Sequence, residues 1–255
     1  MSTKAGLYVD GYNLYHGLDD YAKSCGAPHP HHLKWLSLWA LGVAITHIDN
    51  KISGGSAVLH SVDYFSAWAK HLDTPRGPGI PTTYGKQQIY VRALQETKVV
   101  AHMAKFTSKK MTCRGLHPAT RSICGHVWLR HEEKQSDVAL AVRMIEDAYE
   151  GEIGTFYMLS CDTDHMPTLR MFQKKFASKG KRLVCVAPPS RSMPTEMQGH
   201  SNASITLKPA NIKACLLPAM LVARDGSKIR RPADYTPPVG SGPQRAAGLT
   251  PGPQP

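Results

Sequence analysis

The chain has 255 residues, with Lys+Arg 31 against Asp+Glu 19 and a formal net charge of +12. Hydrophobic residues at 42% and charged residues at 20% are enough for a core and exclude global disorder. The charge points to an anionic partner, nucleic acid first and a membrane surface second, and six cysteines are too sparse for a disulfide scaffold.

In chain order, residues 5–9 form a short apolar strand. Residues 33–48 place Leu36, Trp39, Val43 and Ile45 on the apolar side of a helix. Residues 57–65 alternate and are rich in β-formers, which makes a second strand. Residues 74–83 hold Pro75, Gly77, Pro78, Gly79 and Pro81 and must be a loop. A helix over 84–96 leads to a third strand at 98–103, and residues 105–130 then break the rhythm as an insertion. The clearest helix covers 133–149, where Val138, Ala141, Val142, Ile145, Ala148 and Tyr149 follow i, i+3, i+4, i+7 spacing. Residues 155–159 are a fourth strand. A helix over 167–178 follows, opened by Pro167, striped by Leu169, Phe172 and Phe176, and ended by Gly180. Residues 181–187 are a fifth strand, 190–204 a polar loop, and 204–222 an edge strand with a further apolar segment. Nine of the 19 prolines lie at or after Pro209, so 1–222 reads as the domain and 223–255 as a Pro-rich, basic, disordered tail. No secretory signal is visible, and the longest uncharged apolar-rich stretch, 35–48, is too short to span a bilayer. The expectation is a cytoplasmic protein without a membrane partner; a homo-oligomer stays open.

Strand–helix alternation implies an α/β, doubly wound three-layer sandwich with a central parallel sheet, whose working site lies outside the carboxyl ends of the strands. Asp10 follows the first strand there, and Asp162 and Asp164 follow the fourth. Asp137 sits in the first turns of the clearest helix, on the face of Ala141, Ile145 and Ala148 that should pack on the sheet. Any one of these acids is well explained as a helix cap or as a favourable charge at a helix start. Caps need not converge, and four carboxylates at one end repel unless a cation sits among them. A hard divalent cation, Mg²⁺ or Mn²⁺, as one ion or two, takes such oxygen ligands, activates water and stabilises charge growing on a phosphate oxygen.

Three local strings carry a resemblance. Tyr8-Val9-Asp10-Gly11-Tyr12-Asn13-Leu14-Tyr15 resembles the opening motif of the NYN domain family, PIN-like nucleases that include bacterial LabA-like proteins. Glu132-Glu133-Lys134-Gln135-Ser136-Asp137-Val138 resembles its E-K-x-[ST]-D-V helix start, and Leu159-Ser160-Cys161-Asp162-Thr163-Asp164-His165-Met166-Pro167 its S-x-D-[ST]-D-x-x-P signature. The resemblance spans residues 5 to 187 and implies a PIN-like fold of strand order 3-2-1-4-5 with a magnesium- or manganese-dependent ribonuclease site. It implies Asp10, Asp137 and Asp162 as the core metal-binding acids and Asp164 as a ligand or supporting acid. Asn13 would orient a ligand or the substrate phosphate, and Ser160 would hydrogen-bond behind the ligands. The sequence departs at Cys161, where the family often has Gly, and at His165, where it often has an aromatic or aliphatic residue. His165 could contact phosphate, with a surface loop histidine the preferred reading.

Cys113, His117, Cys124 and His126 in the insertion offer two thiolates and two imidazoles to Zn²⁺, although C-x₃-H-x₆-C-x-H is not a standard zinc-finger spacing; a basic hairpin with incidental Cys and His is the preferred reading. Candidate RNA contacts are Tyr12, Lys134, Arg170 and Lys174, with Lys175 and Lys179 on the same helix and Tyr15 and His16 as stacking partners. The expected function is metal-dependent RNA hydrolysis at Asp10, Asp137, Asp162 and Asp164; the alternative is an inactive RNA-binding module of the same fold. A HAD-type phosphatase needs its D-x-D after the first strand, where position 12 is Tyr, and no G-x-G-x-x-G follows that strand for a Rossmann enzyme.

Overall fold

The N-terminal apolar run becomes the centre of the sheet. In the computed structural model, which describes residues 2–26, 30–78, 80–116, 119 and 122–238, β1 (Thr3–Asp10) is buried from Ala5 onward. Along the chain follow α1 (Gly11–Ser24), α2 (Leu38–Ser53), β2 (Ala57–Trp68), α3 (Thr83–Glu96), β3 (Val100–Thr112) and β4 (Val127–Lys134). Then come α4 (Ser136–Glu150), β5 (Thr155–Leu159), α5 (Met166–Phe176), β6 (Arg182–Ala187), α6 (Thr195–Gly199) and β7 (Ala203–Thr206). The last elements are α7 (Pro209–Lys213), β8 (Met220–Val222) and β9 (Lys228–Arg230).

Seven strands form one sheet in the order β4-β3-β2-β1-β5-β6-β7, parallel throughout except for the antiparallel β3–β4 pair. The period-2 pattern of each central strand feeds two cores. Leu7, Val9, Tyr157, Leu159, Val184 and Val186 face α1, α2 and α3 through Leu14, Leu41, Ile45 and Leu94. Tyr8, Phe156, Met158 and Cys185 face α4 and α5 through Leu140, Met144, Leu169 and Phe172. The protein is therefore α/β, with helices on both faces of a mostly parallel sheet. The strand neighbours diverge around β1, β2 to one side and β5 to the other, so the crevice at the carboxyl ends of β1 and β5 is the switch point.

Several expectations are corrected. The helix expected over 33–48 starts at Leu38, because the Ser37 Oγ accepts from the Ala40 N–H at 3.2 Å and caps it there; Leu33 lies in a 3-10 turn. The insertion placed at 105–130 is one long antiparallel hairpin, paired from Lys105 with Lys134 to Thr112 with Val127. Glu133 and Lys134 consequently belong to β4, and α4 begins two residues later. The turn between them rests on Gln135, in the left-handed region at φ 79. α4 buries Leu140, Met144, Asp147 and Ala148, while Val138, Val142 and Tyr149 are exposed, so Asp137 sits at the sheet's rim rather than on a buried face. The loop expected at 190–204 contains α6 and the start of β7. Residues 223–238, expected in a disordered tail, are ordered: β8 and β9 pair, Ile229 is buried, and Asp234 bridges to Lys86 at 2.7 Å. Residues 239–255 of that tail lie outside the described residues. Among the described residues no helix is long and apolar enough to cross a membrane.

Candidate metal centre

β1 delivers Asp10 to the switch point. Its carboxylate is held from two sides: Oδ1 accepts from the Asn13 N–H at 2.9 Å, and Oδ2 accepts from the Ser160 hydroxyl at 2.7 Å. The first contact is a helix cap, so Asp10 caps α1 and faces the crevice as well. Gly11 lets α1 start close against the sheet, since a Cβ there would lie 2.6 Å from the Tyr64 ring. The Asn13 side-chain oxygen accepts from the Cys161 N–H at 3.1 Å and ties this turn to the chain leaving β5. Asn13 thus braces the loop; its oxygen is not turned to a ligand.

Ligand atoms from Asp10, Asp137 and His165 all lie within 4.8 Å of one another. Asp10 and His165 are buried, and Asp137 reaches in from the exposed start of α4. His165 corrects the surface-loop expectation: it is 1% exposed, because the turn before α5 folds its ring beneath the crevice. Its Nε2 is 3.7 Å from Asp10 Oδ2, too far for a hydrogen bond, and it has no other hydrogen-bond partner. Two carboxylates and an unpartnered imidazole nitrogen are a donor set that fits a divalent cation.

Asp162 and Asp164 are not part of this group. Asp162 is engaged as the cap of a 3-10 turn, accepting from the Asp164 N–H at 2.9 Å, and its own N–H donates to Ser160 Oγ at 3.0 Å. Both acids are close enough for their charge to be felt at Asp137. Burial raises the Asp137 carboxyl above its ordinary range, Asp10 adds to the rise, and His165 opposes it. Burial pulls the His165 imidazole down, but Asp10, Asp137 and Asp162 outweigh it and the net shift is upward. Glu133, whose role the sequence left unread, stands beside them at the end of β4. Burial, then Asp10 and Asp137, push it up to about 7, against the opposing Ser136 hydroxyl, and its Oε1 is buried without a partner.

The candidate RNA contacts lie on α1, β4 and α5. Tyr12 is half exposed and packs edge-on against His16. Lys134 pairs with Glu132 at 2.8 Å, Arg170 pairs with Glu196, and Lys174 is exposed on α5. The zinc candidate does not assemble among the described residues. Cys113 and His126 face each other across the hairpin ladder, Cys124 is exposed, and these donors form no group of three; His117 lies outside the described residues.

No protein-family model matches the chain. The chain is similar to the 6-hydroxy-3-succinoylpyridine 3-monooxygenase of Pseudomonas putida (strain DSM 28022 / S16), 26% identical over 245 residues, covering 86% of this chain and 71% of that one. Among solved structures, a protein of unknown function from Vibrio parahaemolyticus RIMD 2210633 aligns over 85% of this chain and 97% of its own at 13% identity and a TM-score of 0.43.

Proposed function

We propose that the chain is a metal-dependent ribonuclease of the NYN, PIN-like kind, hydrolysing RNA phosphodiester bonds where Asp10, Asp137 and His165 meet. The observation that carries this reading is the unpartnered His165 Nε2 facing two carboxylates at the switch point of the sheet. The run β3-β2-β1-β5-β6 supports it, being the order the resemblance implies for the five strands read from the sequence. So does the gathering of Asp10, Asp137 and Ser160, one from each of the three motifs, around one crevice of a +12 chain.

Asp10, Asp137 and His165 would hold the cation, and an imidazole nitrogen among the donors favours Mn²⁺ over Mg²⁺. Such an ion supplies Lewis-acid polarisation of a phosphate oxygen and acidifies water. Ser160 and the Asn13 N–H fix the Asp10 carboxylate in one orientation, as groups behind metal ligands do. Asp162 and Asp164 add negative field at the rim. Glu133, poised near neutrality, can take the proton of an attacking water on its free Oε1. On this reading Arg170, Lys174 and the hairpin lysines would contact the polynucleotide backbone.

The test is labelled single-stranded RNA incubated with Mn²⁺ or Mg²⁺, wild type beside Asp10→Asn and Asp137→Asn. Metal-dependent cleavage by the wild type alone is the expected result. RNA bound but never cut would leave the inactive RNA-binding module. A second reading is favoured by the named activity of the Pseudomonas relative. On that reading the cluster, whose imidazole and carboxylate donors also suit iron, serves oxygen chemistry on a small aromatic ring. Oxygen uptake with a hydroxypyridine and a supplied two-electron reductant such as NADH, RNA remaining intact, would select it.

A further inference from the structure

A cavity of about 550 Å³ opens beside the acidic cluster, within the size range of pockets that enclose one small ligand. The two share a wall. Gly11, next to Asp10, lines the cavity, and so does the Tyr64 ring that packs on Gly11. The Tyr64 hydroxyl is pushed up to about 12, by burial first and then by Glu133 and Asp10.

The lining is aromatic on several sides: Tyr12 and Tyr15 from α1, Tyr64 from β2, Tyr90 from α3, Phe106 from β3, and Tyr235 from the segment after β9. Its charges are already matched from within. Lys34 is 2.9 Å from Asp19, and Asp234 lies 2.7 Å from Lys86 and 3.3 Å from Arg76. Burial, with Arg191 near His16 and His131 near His71, holds both imidazoles below their ordinary value, and the buried Nδ1 of His71 has no hydrogen-bond partner. Flat apolar faces, neutral ring nitrogens and internally paired charges suit an uncharged planar heterocycle better than an anion. Next to a centre that would grip a phosphate, that heterocycle is a nucleobase.

We propose that this cavity takes one unpaired base of the RNA, drawn out of its stack and held between the tyrosine faces while the adjoining phosphate lies at the acidic cluster. The proposal rests on the ribonuclease reading and names the part of the substrate that selects the cut. Stacking on aromatic side chains tolerates any base, and polar groups at the wall would then set a preference among the four.

The experiment measures binding of a short single-stranded RNA by fluorescence anisotropy with excess chelator, so that no cleavage intervenes. The same RNA carrying one abasic residue, scanned along its length, is the comparison. Two full-length variants accompany the wild type: Tyr12→Ala/Tyr15→Ala, which removes half-exposed walls, and Ala69→Trp, which fills the cavity. One abasic position should weaken wild-type binding about tenfold, as loss of one stacked base does, and both variants should erase that penalty. Equal binding of all abasic RNAs, a penalty that survives in Ala69→Trp, or no RNA binding at all overturns the proposal. Cleavage with Mn²⁺ is then read on the same RNAs. Base-dependent binding without any cutting leaves the cavity standing and removes the ribonuclease reading; cutting that ignores abasic residues does the reverse.

Discussion

Two sets of carboxylates lie against the same sheet and differ in their partners. Asp49 receives Arg182 on both oxygens, at 2.7 and 3.2 Å, and the Tyr157 hydroxyl at 3.2 Å. Asp147 accepts from Tyr8 at 2.6 Å and lies 2.9 Å from Arg143, while Asp63 meets His102 at 2.7 Å. These acids bring their own cations. At the other site, Asp10, Asp137 and Glu133 pair with no lysine or arginine among the described residues, and Asp10 has only the distant His165. A buried carboxylate with its partner built in is part of the scaffold; a group of carboxylates without one leaves room for a cation that comes from outside.

The largest break in that comparison is Arg182→Ala. It should strand Asp49 and cost about 3 kcal/mol in urea unfolding, whereas Asp137→Asn in metal-free protein should cost nothing or gain up to about 1 kcal/mol by relieving repulsion. Equal destabilisation by both would erase the distinction. Next, Mn²⁺ at about a hundredfold above its dissociation constant should stabilise the wild type by about 2.7 kcal/mol, seen as a rise in melting temperature, and should do so in neither Asp10→Asn nor His165→Ala.

Smaller effects follow from pH. Glu133 is raised from 4.5 to about 7 in the folded protein, so the native state holds a proton that the unfolded chain has released. Metal-free stability should therefore be full below pH 4.5 and fall, by of order 1 kcal/mol, as pH rises to about 7. Glu133→Gln should flatten this slope. Asp19 has the opposite sign: Lys23 and Lys34 lower it to about 2, so its contribution is present above its ordinary value of 3.8 and fades as pH drops towards 2. The smallest change is Lys174→Ala, which should leave stability within about 0.5 kcal/mol and reduce the salt slope of RNA binding by about one. A salt slope that does not move would take α5 out of the RNA path.

Much of this was legible in the sequence. Five central strands and the helices around α2, α3, α4 and α5 were, apart from boundaries, because period and turn chemistry are local; α1, the extent of the β3–β4 hairpin, α6 and the β8–β9 pair were not. Asp10 and Asp137 were legible because an acid just past a strand or at a helix start has few places to go. Asp162 drew the same inference; it caps a 3-10 turn as Asp10 caps α1, and what sets it apart is only that it lies outside the group formed by Asp10, Asp137 and His165. His165 was misread as a loop residue. For the insertion, the preferred reading of a basic hairpin agrees with the long β3–β4 ladder, and among the described residues Cys113, Cys124 and His126 form no group of three.

The amino-acid sequence by itself determined the α/β alternation, the acids at the carboxyl ends of the strands and the basic charge of the whole chain. Only the tertiary structure decided that residues 10, 137 and 165 meet, that Arg182 and Arg143 belong to other acids, and that the segment after β9 walls an aromatic cavity. The reason is physical. Periodicity and capping act between near neighbours, whereas a ligand set depends on the strand order of the sheet and on how α4 and α5 dock against it, which depends on packing between residues distant in the chain.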